Sequence, residues 1–210
     1  MTEASNDPGN AGPSSPAEAP PWRDAQALRE SLPTEVSPWL LDDGSLTQRL
    51  IDTGRDFSVE RLTQGWEPPA CNERHFLGMD NRDTAMIRSV ILKLDGEPVV
   101  FARSVFPESS LTGPLLQLRK LENESLGALL FARSDLRRSA FQVAELPCGA
   151  SYLPESLQQR RPVWARRSRF EVAERPLRVS EVFLEGFPGE LVARQLHRSR
   201  EDPADATMGG

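Results

Sequence analysis

Three charged residues stand where the alternation of a β-strand would place apolar ones. Along 86–94, Met86, Arg88, Val90, Leu92 and Leu94 share one face, and Arg88 is its odd member. Along 99–105 the odd member among Val99, Phe101 and Val105 is Arg103, and along 177–183 it is Glu181 among Leu177, Val179 and Phe183. An unpaired buried charge is strongly unfavourable, so each of these must meet a counter-charge, a ligand or water. If they converge, two guanidinium groups and one carboxylate make a pocket of net positive charge. Guanidinium forks match carboxylates in a bidentate manner and apolar neighbours match a ring, so such a pocket suits a small planar anion. The same pattern also fits a structural role, with Arg–Glu pairs bridging strands or sitting at a sheet edge.

The elements that must position these residues are strands arranged as hairpins. Two runs rich in β-branched residues over 86–106 flank Asp95-Gly96-Glu97-Pro98, a strong hairpin signal, and 163–172 with 177–184 form a second hairpin around 173–176. Further strands are predicted over 57–62 and 141–146. Ser37-Pro38 opens a short helix, Asp43-Gly44-Ser45 interrupts it, and a second helical piece over 46–53 stops at Gly54. Residues 115–121 and 126–131 form another such pair, broken at Asn123. The segments 64–83, 108–114 and 146–161 read as connections. Strands follow one another without regular strand–helix–strand alternation, which predicts an α+β fold with an antiparallel sheet and helices on one side.

Composition limits the partners. Of 210 residues, 31 are acidic and 25 basic, a net charge of −6. All six surplus acidic residues lie at the ends: Glu3, Asp7 and Glu18 in 1–22, and Glu201, Asp202 and Asp205 in 201–210. The body is therefore balanced, which argues against a phosphate-backbone binder; Arg166 and Arg167, in an arginine-rich stretch, point to opposite faces of a strand and suit ion pairing. Residues 1–22, rich in Pro, Ser and Ala, read as a disordered acidic arm without the apolar run of a secretory signal. Residues 191–210 read as a C-terminal extension with a disordered tail, and 23–190 as one domain. No apolar run is long enough to span a bilayer, which leaves the cytoplasm as the default address. Cys71 and Cys148 are expected to be free thiols, and neither they nor His75 and His197 form a metal-ligand pattern.

In order and spacing, Asp43-Gly44-Ser45-Leu46-Thr47-Gln48-Arg49, Arg88 ahead of Asp95-Gly96-Glu97-Pro98, Leu111-Thr112-Gly113-Pro114, Ser125-Leu126-Gly127, Trp164-Ala165-Arg166-Arg167-Ser168-Arg169 and Glu181-Val182-Phe183-Leu184 resemble bacterial chorismate lyase, the chorismate pyruvate-lyase of ubiquinone biosynthesis. The resemblance covers roughly 34–190. It implies an antiparallel sheet of about six strands with paired short helices acting as flaps over a buried site. Carried over by position, it implies that Arg88 holds the ring carboxylate, that Glu181 lies near the ring hydroxyl, and that Leu126 and Leu46 contact the ligand, with Leu46 standing where the family has methionine. Arg103 falls on the arginine of the partner strand, and the expectation is that it meets the enolpyruvyl carboxylate.

The activity so implied is elimination of pyruvate from chorismate to give 4-hydroxybenzoate, with no cofactor or metal, by a monomer that holds its product tightly. Arg88 and Glu181 are then the catalytic pair, Glu181 serving as hydrogen-bond partner or proton relay. A different function on a related fold is a small-acid-binding, effector-sensing domain of a bacterial transcription regulator, which would bind without transforming. A homologue that carries 4-hydroxybenzoate without catalysis is a third reading.

Overall fold

The hairpin signals govern the architecture. The computed structural model describes residues 20–187; most of the acidic arm and the whole C-terminal extension, with His197, lie outside the described residues. In chain order the elements are β1 (Arg23–Asp24), α1 (Ser37–Leu40), α2 (Leu46–Ile51), β2 (Phe57–Glu67), α3 (Cys71–Leu77), β3 (Ala85–Leu94), β4 (Glu97–Pro107), α4 (Leu126–Phe131), β5 (Leu136–Arg138), β6 (Gln142–Leu146), β7 (Val163–Val172) and β8 (Arg175–Phe183), with short 3₁₀ turns at Glu108–Ser110, Gly113–Lys120 and Glu155–Leu157. The strands form one antiparallel sheet in the order β1-β6-β7-β8-β4-β3-β2, and β5 pairs with the far end of β7. Six strands have five residues or more; β1 and β5 are additional short pieces.

Both hairpins close through two residues with positive φ, as a two-residue turn between twisted strands requires. Asp95 and Gly96 turn β3 into β4, with φ of 51° and 83°. Ala173 and Glu174 turn β7 into β8 with φ of 47° and 63°, and there no glycine relieves the left-handed backbone. The first hairpin holds a further feature that the sequence pattern did not predict. Beside the turn, Leu94 faces Glu97 and Lys93 faces Pro98, but Leu92 faces Val100, so Val99 is a surplus residue in a β-bulge. From there on Arg88 faces Ser104 rather than Arg103.

Two segments depart from the pattern-based expectation. Strand β2 continues to Glu67 through residues predicted as a connection, because an irregularity between Arg61 and Thr63 shifts its register and interrupts the alternation. The same connection contains α3, whose start at Ala70 carries no capping side chain of the Ser, Thr, Asp or Asn type to announce it. Helix α3 lies against the sheet face opposite α1, α2 and α4, so helices cover both faces rather than one. The first face is packed by Trp39, Leu40, Leu50, Phe106, Leu115 and Leu118, the second by Leu146, Leu157, Val163 and Val182. Trp22, at the end of the predicted arm, packs edge-on to Tyr152 and under Arg167.

Candidate active site

On the first sheet face, a cavity is enclosed between the strands and the two helix pairs. Its floor is Arg88, Val90 and Leu92 of β3, Ala102 and Ser104 of β4, and Val179 and Glu181 of β8; its roof is Gly44, Leu46 and Thr47 before and in α2, and Ser125, Leu126, Gly127 and Leu130 before and in α4. Arg138 and Phe170 close one end. The two roof segments are built alike. Ser45 caps α2 by accepting the amide of Gln48, and Ser125 caps α4 by accepting that of Ala128. They meet where Ser125 Oγ donates to Thr47 Oγ1 at 2.9 Å. Gly127 is required at that crossing, since a Cβ there would stand 3.1 Å from Thr47 Oγ1 and 3.3 Å from Ser45 Oγ.

Arg88 is buried, with 2% exposure. Its Nη2 donates to the carbonyls of Glu122 (2.9 Å) and Glu124 (2.8 Å), and Glu122 turns its carbonyl there in a left-handed conformation, φ 40°. Such a backbone costs about 1–3 kcal/mol in a residue other than glycine. The Nε of Arg88 is buried with no partner, and among the described residues no carboxylate lies within ion-pair distance of this side chain. Burial, with Arg61 nearby, lowers its pKa to about 10. Two strands away, Glu181 is held by Arg166 (Nε to Oε2, 2.5 Å), and Arg166, 1% exposed, also donates to the carbonyls of Trp39 (2.6 Å) and Asp42 (2.8 Å). Arg166 thus ties the carboxylate on the floor to the segment that leads into α2. Leu46 and Leu126, 5% and 7% exposed, press on the cavity from above.

The structure therefore brings Arg88, Glu181, Leu46 and Leu126 together and leaves Arg103 out. The bulge at Val99 turns Arg103 to the opposite face, where it pairs with Glu73 (2.9 Å) beside Arg178. Were the ladder unbroken from the turn, Arg88 and Arg103 would be cross-strand neighbours on one face, which is the convergence that alternation alone predicts. Arg138, which sequence reasoning passed over, lines the cavity, and Arg166, read there only as suited to ion pairing, holds Glu181. Arg166 was legible by the same alternation test, since it shares a face of β7 with Ser168 and Phe170. Arg138, in a three-residue strand, offered no periodicity to read.

If the buried guanidinium of Arg88 anchors an anion, ligand affinity depends on its proton. Arg88 is charged below its lowered pKa of about 10 and loses that charge as pH rises through it. Benzoate, a carboxylate throughout this range, is expected to bind with constant affinity near neutrality and to weaken at least tenfold by about pH 11, measured by calorimetric titration. Affinity that holds unchanged at that pH would show that the anchor keeps its charge there or lies elsewhere, and benzoate affinity retained in Arg88→Met would show the latter.

Comparison with known proteins bears on the same residues. The family model described as chorismate lyase matches residues 18–189. The probable chorismate pyruvate-lyase of Methylobacillus flagellatus is 37% identical over 154 residues, covering 70% of this chain and 85% of that protein. That of Pseudomonas putida is 38% identical over 169 residues, covering 80% and 90%. Among solved structures, the effector domain of PhnF from Mycobacterium smegmatis superposes with a TM-score of 0.51 at 15% identity, covering 69% of this chain and 91% of that one. That likeness is one of fold alone. The family model spans the sheet, both flaps and every residue of the cavity, and the chain belongs to the chorismate lyase family.

Proposed function

We propose that this chain is a chorismate pyruvate-lyase and that the cavity over β3, β4 and β8 is its active site. The observation that carries the reading is the pairing, in one enclosed apolar space, of a buried arginine free of carboxylate contacts with a carboxylate two strands away. Arg88 takes the ring carboxylate. Glu181, fixed by Arg166, accepts a hydrogen bond from the ring hydroxyl and orients that end of the ring. The floor between them is made of small and aliphatic side chains, Val90, Ala102 and Val179, against which a flat ring lies.

In the reaction the ether bond between the ring and the enolpyruvyl oxygen breaks, and the hydrogen on the hydroxyl-bearing ring carbon leaves. The ring becomes aromatic, and the released enolpyruvate takes up a proton on its methylene carbon to become pyruvate. Every atom of chorismate reappears in 4-hydroxybenzoate and pyruvate. The protein's part is to hold the dianion in one orientation, away from water, with fixed charges at its ends. The working unit is a monomer, and its place of work is the cytoplasm.

The test is incubation of the full chain with chorismate while both products are followed. Equal amounts of 4-hydroxybenzoate and pyruvate are expected. Glu181→Gln should lower kcat by about a hundredfold, since it removes the charge that Arg166 fixes at the ring oxygen. Tight binding of 4-hydroxybenzoate without any turnover of chorismate would overturn the assignment in favour of a small-acid sensor.

A further inference from the structure

Arg138 carries a positive charge that the site as described leaves without a counterpart. Its Nε donates to Ser168 Oγ at 2.9 Å, and its Nη1 to the carbonyls of Asp43 (3.1 Å) and Gly44 (3.3 Å). The guanidinium lies over the rings of Phe141 and Phe170, at 4.1 and 4.7 Å. These contacts fix the group in place and supply no negative charge: among the described residues no carboxylate is within ion-pair distance. Glu181, Asp42 and Asp43 act on Arg138 only from beyond ion-pair distance, and two of them are engaged elsewhere, Glu181 by Arg166 and Asp42 by Arg49. Burial, together with Arg166, lowers the Arg138 pKa to about 10 as burial does for Arg88, although Arg138 is only partly buried.

The cavity therefore has one neutral ion pair and two guanidinium groups lacking a carboxylate, one at each end. Arg88, Ser104, Val179 and Ser168 form a single cross-strand row, and Arg138 sits at the Ser168 end of it. Three strand spacings of about 4.8 Å separate the ends of that row, a span that leaves room for a ring with a carboxylate on either side. Two cations so separated prefer a dianion to a monoanion, because a ligand with one carboxylate leaves the other cation unmatched.

We propose that Arg138 holds the second carboxylate of the substrate, the one on the enolpyruvyl arm, and is the residue by which the protein distinguishes substrate from product. The proposal rests on the chorismate-lyase reading. Because Nη1 also holds the carbonyls of Asp43 and Gly44, the carboxylate completes a cluster that includes the first flap. Product has lost that carboxylate and leaves the cluster short of its anion.

The test compares ligands with one and two carboxylates on the full-length chain and on Arg138→Gln and Arg138→Lys. In the unaltered protein, 3-(carboxymethoxy)benzoate, a stable dianion whose arm leaves the ring at the position of the enolpyruvyl ether, is expected to bind about tenfold to a hundredfold more tightly than 3-methoxybenzoate. Arg138→Gln should abolish that preference and raise KM for chorismate by a similar factor, while the Kd of 4-hydroxybenzoate moves less than about threefold. Arg138→Lys should recover part of the preference. Equal weakening of all ligands would assign Arg138 a structural role and overturn the proposal, as would absence of the preference in the unaltered protein. That last measurement needs no variant to fold. The binding comparison needs no turnover either, so a chain that failed to convert chorismate would refute the activity without deciding the role of Arg138.

Discussion

Arg88→Met is expected to lower kcat/KM for chorismate by about two to three orders of magnitude and to weaken 4-hydroxybenzoate comparably. Truncating one partner of a buried, hydrogen-bonded charge pair costs about 2–5 kcal/mol, and each 1.4 kcal/mol is about a factor of ten. The loss should fall on substrate and product alike, because both carry the ring carboxylate; in this it differs from the expected behaviour of Arg138. Stability should move the other way from activity. In the free protein Arg88 is desolvated with only two carbonyls as partners, so an apolar side chain of similar length removes an unfavourable charge from the interior. The ligand-free melting temperature of Arg88→Met is expected to equal or exceed that of the unaltered chain, and added 4-hydroxybenzoate should raise it far less. A variant that melts well below the parent while keeping its ligand affinity would assign Arg88 to the fold and not to the site.

The second large effect lies on the other side of the sheet. Glu73, 1% exposed, accepts Arg103 Nε at 2.9 Å, Arg178 Nη1 at 2.7 Å and the amide of Ala70 at 3.0 Å. It joins α3 to β4 and β8 at one point. Glu73→Gln leaves Arg178, fully buried, without its counter-charge, and breaking such a pair costs about 3–5 kcal/mol. For a domain of this size that is a fall in melting temperature of roughly 6–20 °C, measurable by calorimetry. The pH dependence has a definite sign. Burial alone would raise the Glu73 pKa, but the bonds from Arg103, the charge of Arg178 and the Ala70 amide outweigh it, and the pKa is lowered. The unfolded chain therefore binds this proton more readily, so the stabilisation is present above the ordinary carboxylate range and is lost as pH falls through and below it. The difference in stability between parent and Glu73→Gln should shrink on acidification. A constant difference from neutral pH into the acid range would mean that the carboxylate is not the source.

The hairpins, the paired short helices and the positions of Arg88 and Glu181 were readable in the sequence because each rests on a local rule. Asp-Gly between apolar runs specifies a two-residue turn, and a serine ahead of an apolar helical run specifies a cap. Alternation fixes the face of a residue only within a strand whose register is unbroken. That condition held for Arg88 and Glu181 and failed for Arg103, where one surplus residue reverses the faces of β4 relative to β3. The same cause hid the second half of β2. Helix α3 was hidden for another reason: it is held by Glu73 and the two arginines of the sheet, contacts between residues far apart in sequence that no local pattern announces. Arg138 belongs with it, since its role depends on Ser168, Asp43 and Gly44 arriving together from three parts of the chain.

Because the bulge at Val99 decides which side of β4 meets the ligand, the stretch from Asp95 to Ala102 tolerates substitution differently from insertion or deletion. One residue added after Val99, with the bulge kept, would leave the hairpin turn intact yet present Phe101 and Arg103 to the cavity in place of Ala102 and Ser104, while Glu73 and Arg178 lost a partner behind the sheet. Surface loops absorb such length changes at little cost. In this hairpin the number of residues is as much a part of the binding site as any side chain that lines it.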